Sequence, residues 1–109
     1  MRTFSYPARF SELVEMVQQP GFAKKFARAH LITSKAEIRD AQRDGLPKHL
    51  VPFLVQIQPT HLDYYVFNKR ERGSECSVGV FAVHTVVFGW DNFEAFLEWL
   101  REMVGEQHA

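Results

Sequence analysis

The chain is predicted to fold as one α+β domain spanning residues 1–109, in which an antiparallel β-meander carries flanking helices and a C-terminal amphipathic helix. Three observations predict it. Apolar residues recur at helical spacing near both ends, whereas the stretch from Phe53 to Phe88 holds alternating or continuous apolar runs punctuated by proline and glycine. That order, helices around a run of strands, belongs to the α+β class. No repeat, low-complexity tract or linker composition divides the 109 residues, a length that buries roughly two-thirds of its unfolded surface.

Residues 8–18 place Phe10, Leu13, Val14 and Val17 on one helical face, with Glu12, Glu15 and Gln18 opposite, and Pro20-Gly21 ends the helix. Phe22 and Phe26 make a short helix that leads into a strand-like Ala29-His30-Leu31-Ile32. Ser34 and Glu37 form a capping box for a helix over 35–43, and Gly45 supplies its left-handed exit. Pro47 and Pro52 argue against a long helix between them and leave a single turn opened by Pro47.

Beyond Pro52 the period becomes two. Phe53, Val55 and Ile57 alternate with Leu54, Gln56 and Gln58, and Pro59 ends that strand. Tyr64 to Asn68 is the next strand, followed by a charged hairpin loop, residues 69–75, pivoting on Gly73. Val78 to His84 and Thr85 to Phe88 form one long or two successive strands, apolar on both faces and so expected to be covered on both. Asp91 and Glu94 are placed to cap the last helix, whose stripe is Phe93, Phe96, Leu97, Leu100, Met103 and Val104. Trp99 seals its edge, and Trp90 packs onto its first turns as a hydrophobic staple.

Composition narrows the function. Thirteen Lys and Arg balance thirteen Asp and Glu, so no long-range field gathers phosphate backbones or anionic lipid, and neither nucleic acid nor membrane is expected as a direct partner. The single cysteine makes no internal disulfide, Met1 to Pro7 has no apolar run of signal length, and no stretch of about 18 apolar residues occurs. A soluble, cytoplasmic protein is expected.

The ionisable residues do not form a familiar reactive pattern. His30, His49, His61, His84 and His108 include no His-x-x-x-His pair, so no metal is expected. Cys76, Ser74 or Ser77 with His84 are too far apart along one extended strand to act as nucleophile and base, and there is no Gly-x-Ser-x-Gly elbow or glycine-rich phosphate loop. No enzymatic activity and no cofactor are expected. The stretch His61-Leu62-Asp63-Tyr64-Tyr65 admits two readings. In one, a loop enters a core strand and Asp63 accepts backbone N–H bonds. In the other, Tyr64, Tyr65, His84 and Trp90, with His61 and Asp63 at the mouth and Arg70 and Arg72 on a neighbouring loop, form a surface that binds a protein partner. Two alternatives stand beside that second reading: a small-ligand or hydrolytic site around His61, Asp63 and His84, and a homodimer that buries the same aromatic surface.

The order of pieces, LPKHLVPFLVQIQPTHLDYYVFN, a charged loop, then SVGVFAVHTVVFGWDNFEAFLEWL, resembles the SUKH superfamily, in particular its SMI/KNR-type domain. The pieces that carry the likeness are Asp63-Tyr64-Tyr65, the loop 69–75, Val78 to Val83 and Phe93-Glu94-Ala95-Phe96-Leu97. The resemblance covers roughly residues 33–104 and implies helices on one side of a twisted sheet and a non-catalytic role. Bacterial members of the superfamily include immunity proteins that neutralise toxins, often nucleases; fungal members are interaction modules in cell-wall regulation. This sequence departs from the pattern in its first third, where Leu46-Pro47 comes late, and in its neutral charge, since such immunity proteins are often strongly acidic.

Overall fold

Phe53, Phe67, Phe93 and Phe96 meet at one point of the molecule, with Phe53 stacked on Phe67 at 4.3 Å and edge-on to Phe96 at 5.5 Å, and the chain is arranged around them. The structure, a computed structural model, describes residues 6–26, 28–32, 34–68 and 76–105. In order they form α1 (Phe10–Gln18), α2 (Phe22–Lys25), β1 (Ala29–Leu31), α3 (Lys35–Arg43), β2 (Leu50–Ile57), β3 (Leu62–Asn68), β4 (Val78–Ala82), β5 (Thr85–Trp90) and α4 (Phe93–Gly105). The strands make one antiparallel sheet in the order β1-β2-β3-β4-β5, the meander expected from the sequence.

Local chemistry accounts for the boundaries. Gln19, next to Pro20, takes ψ 139° and leaves the helical region, which stops α1. Ser34 Oγ accepts the Glu37 N–H at 3.2 Å and starts α3. At the other end Gly45 has φ +108°, the Leu46 N–H returns to the Ala41 carbonyl at 3.0 Å and the Gly45 N–H to that of Gln42 at 3.1 Å, so the last carbonyls of α3 are satisfied by a Schellman turn. Pro47 opens one turn, closed by the Leu50 N–H on its carbonyl at 3.1 Å.

Three expectations are corrected. The strand after that turn begins at Leu50, with Pro52 inside it, because β1 runs alongside only Leu54 to Gln56 and the β2–β3 register shifts between Pro52 and Leu54, so no ladder bond is demanded of the proline. The same bulge places Phe53 with Leu54 in one core cluster and Val55 in the other, in place of a shared face for Phe53, Val55 and Ile57. The cap of α4 is Asn92, whose Oδ1 accepts the Ala95 N–H at 2.8 Å; Asp91 lies one residue too early because β5 runs through Trp90. Met103 is 36% exposed, at the outer margin of its stripe. Residues 69–75, with Gly73, Arg70 and Arg72, lie outside the described residues.

Alternation along β3 divides the core into two layers. Tyr65 and Phe67 face α1, α2 and α4 together with Leu13, Phe22, Phe26, Phe96, Leu97 and Leu100. Tyr64 and Val66 face the opposite way, into a smaller cluster with Ile32, Ala41, Leu46, Val55 and Phe81. Helix α3 therefore lies across the sheet from the other three, a correction to the one-sided arrangement that the resemblance implies. Its sequence, KAEIRDAQR, has one fully buried residue, Ala41, and covers the sheet thinly.

Candidate functional site

The thinly covered face holds two adjoining clefts that share Asp44, Leu62 and Tyr64 as their common wall. The larger, about 480 Å³, is bounded by the C-terminal end of α3 (Arg43, Asp44), the start of β3 (His61, Leu62, Tyr64) and the β4–β5 turn (Phe81, Val83, His84). The smaller, about 210 Å³, runs beneath α3 and is lined by His30, Glu37, Asp40 and Asp44 above apolar Ile32, Val55, Ile57 and Leu62.

Each wall follows from local structure. The tight β4–β5 connection leaves only Val83 and His84 between the strands, with φ +50° and +66°. Two left-handed residues in succession give a turn whose twist matches the strands, a geometry that glycine, asparagine and aspartate favour. A β-branched residue in that region costs about 1–2 kcal/mol; Val83 is moreover 69% exposed. The turn sits against the exit of α3: a Cβ at Gly45 would lie 2.8 Å from His84 Nδ1, so any other residue there would push the imidazole aside. Gly45 thus supplies the left-handed helix exit and also the space for His84.

His61 and Asp63 form a closed set of contacts at the mouth of β3. His61 Nε2 lies 3.0 Å from Asp63 Oδ1, His61 Nδ1 lies 3.1 Å from Thr60 Oγ1, and Gln58 Nε2 donates to Asp63 Oδ2 at 2.9 Å. Both ring nitrogens of His61 thus have polar neighbours within 3.1 Å, a carboxylate on one side and a hydroxyl on the other. Asp63 is held by side chains, in place of the backbone N–H bonds expected of it.

The two tyrosines are buried, each 6% exposed, and point to opposite faces. The Tyr65 phenol is pushed up to about 12, chiefly by burial and then by the Asp63 carboxylate. Its ring packs at 5.6 Å against Phe96 and 6.3 Å from Trp90. The Tyr64 phenol is raised first by burial and then by Asp44, with its hydroxyl 3.4 Å from Asp44 Oδ2. Tyr64 therefore presents a neutral O–H to the wall between the clefts. Trp90, half-buried, lies tilted beside Trp99 at 4.8 Å and edge-on to Phe96 at 5.1 Å, so it packs on the first turn of α4 from one residue before the staple position that an Asn92 cap defines.

The residues singled out in the sequence thus separate. His61, Tyr64 and His84 line the larger cleft, with Asp63 behind His61, whereas Tyr65 and Trp90 belong to the three-helix side of the core. Cys76 is fully buried in that same core, away from the exposed His84. Sequence reasoning did not single out Arg43, Asp44, Val83 or the acids of α3. The capping box and Gly45 located α3 but carried no signal of which face of the sheet it crosses. Among the described residues no three His, Cys, Asp or Glu side chains gather closely enough to hold a metal ion, and no helix is long and apolar enough to cross a membrane. A further cleft of about 550 Å³ between α1, α2 and α4 contains none of the residues singled out; its rim carries the Glu12–Arg101 ion pair. No protein-family model, curated protein or solved structure matches the chain.

Proposed function

We propose that this is a non-catalytic cytoplasmic module that binds a protein partner across the thinly covered face, with the Val83-His84 turn as the contact point. The observation that carries the reading is Val83: an apolar, β-branched residue that suits neither the left-handed turn nor its 69% exposure, and whose presence folding alone does not explain. The neighbouring cleft adds a polarity. Glu37, Asp40 and Asp44 line it, with His30 at 3.4 Å from Glu37 and Arg43 at 3.5 Å from Asp40, which fits a partner whose lysine or arginine takes over those exposed contacts while an apolar side chain covers Val83 and Phe81. The resemblance to the SUKH superfamily adds the finer reading that the partner is a toxin domain, neutralised by this protein.

A photo-crosslinking amino acid at position 83, with one at Gln19 on the opposite side as control, tests the proposal in the source cell. Position 83 is expected to capture one discrete protein that position 19 does not, and D40K to abolish the capture. No adduct at 83, or the same adducts at both positions, overturns it. V83N separates contact from folding: it is expected to stabilise the domain by about 1 kcal/mol, because asparagine tolerates the left-handed turn, while weakening capture. The finer reading has its own test. Growth rescue is expected when the protein is co-expressed with the captured partner; binding without rescue removes the immunity role and leaves the module.

A further inference from the structure

The two edges of the sheet are unlike. β1 is three residues long, and its central residue, His30, reaches the Glu37 carboxylate at 3.4 Å, so this edge is short and carries a polar side-chain contact. β5 is six residues long, pairs with β4 alone among the described residues, and reads TVVFGW, without a charge or a proline. Val87 is 66% exposed and Phe88 43%. Among the described residues the one device that keeps an edge strand from pairing is a bulge at Gly89, between the Phe88–Gly79 and Trp90–Val78 pairs; from Thr85 to Phe88 the strand is regular and carries neither charge nor proline.

The turn determines which backbone groups are free. Because two residues connect the strands, Ala82 and Thr85 form the first hydrogen-bonded pair, and alternation gives the next to Val80 and Val87. The N–H and C=O of Val86 and Phe88 then point away from the sheet. We propose that β5 pairs antiparallel with the β5 of a second copy, about a two-fold axis through Val87.

That register is self-complementary over the regular stretch from Val86 to Phe88. Val86 stands opposite the partner's Phe88 and exchanges with it the free backbone bonds. Val87 stands opposite the partner's Val87 as a non-hydrogen-bonded pair, where side chains approach most closely. Beyond that stretch Thr85 comes toward the partner's bulged Gly89, where an added Cβ has no neighbour within 4 Å in one copy. On one face the two Val86 and Phe88 side chains form an apolar group of four, with each Phe88 ring already lying over its own Gly79. Electrostatics does not oppose the association, since the strand is uncharged and the chain has zero formal net charge. The regular contact is about 10 Å long, which makes for a small interface and a dimer that depends on concentration.

The pairing is independent of the proposed partner site, and the tests keep the two apart. Sedimentation of the full chain over the micromolar range is expected to show a monomer–dimer equilibrium. V87K, which places two ammonium groups directly opposite one another but alters a side chain already exposed in the monomer, is expected to abolish the dimer with an unchanged melting temperature and unchanged cross-linking at position 83. V87C is expected to form a disulfide-linked dimer under mild oxidation, whereas V86C, opposite a phenylalanine, is not; the buried Cys76 does not compete. A wild-type chain that stays monomeric to about 100 μM, at which even a weak interface of this class is populated, overturns the proposal. So does a V87K variant that dimerises as the wild type does.

Discussion

On one side of the sheet three helices press a continuous set of aromatic rings against Phe53 and Phe67; on the other, a single polar helix shields Tyr64 and Val66 and leaves two clefts open beside it. Both sides enclose buried residues, but they bury them by different means. The first fills its space with large side chains at full burial, Phe93, Phe96, Leu97 and Leu100 among them. The second depends on Ala41 and on the Leu46–Leu50 segment lying close to the sheet. Rigidity and recognition are therefore divided between the faces: the surface we propose for binding is the one whose cover is easiest to move.

The largest expected effects test that division directly. Phe96 touches Phe53, Tyr65, Trp90, Phe93 and Trp99, and F96A is expected to cost about 3–5 kcal/mol, much of the stability of a domain this size. On the opposite side I38A, which trims a half-buried residue of α3, is expected to cost about 1 kcal/mol. Urea midpoints of the two variants measure the contrast directly, and equal losses would show the sides to be energetically alike.

The helix caps sharpen the comparison at nearly constant chemistry. Ser34 and Asn92 each satisfy one N–H three residues on, at 3.2 and 2.8 Å, so S34A and N92A each remove a cap worth about 1 kcal/mol. The consequences are expected to differ. Helix α4 is locked into the aromatic core, so N92A lowers global stability and speeds amide exchange throughout. Helix α3 is thinly attached, so S34A is expected to speed exchange over residues 35–43 with little change elsewhere. Matched exchange profiles for the two variants would remove the distinction between the sides.

The same contrast governs how much of the molecule was legible in the sequence. The three-helix side announced itself because large apolar residues at helical spacing, such as Leu13 on α1 and Phe93-Phe96-Leu97-Leu100 on α4, have few places to go but a core. Ser34 and Gly45 gave the ends of α3 for equally local reasons. What periodicity does not carry is the side of the sheet on which a mostly polar helix lies, and hence the clefts, which depend on α3 meeting the β4–β5 turn forty residues later in the chain. The Tyr64–Tyr65 pair misled for a related reason. Adjacent aromatics on a strand must point to opposite faces, so they serve two clusters and not one surface. Val83-His84 was hidden as well, because a valine in a two-residue turn contradicts the residue preferences by which turns are recognised.

The smallest expected effect lies on the three-helix side, where α1 and α4 are joined at the surface by ion pairs. Arg9 bridges Glu12 at 2.7 Å and Glu94 at 3.0 Å, and Arg101 also reaches Glu12. The guanidinium of Arg9, and then that of Arg101, hydrogen-bond Glu12 and hold its carboxyl at about 2, below the ordinary 4.5. A carboxyl depressed in the folded state stabilises the fold while ionised. That contribution is complete above about pH 4.5, declines as pH falls toward 2, and is absent once both states are protonated. Because the pairs are exposed and screened by salt, the margin of the wild type over E12Q is expected to be small at neutral pH. Melting temperatures of the two proteins from pH 7 to pH 2 are expected to converge as acid is added, and to lie closer together at 1 M salt throughout. Curves that stay parallel down to pH 2 would show that Glu12 acts through packing and not through its charge.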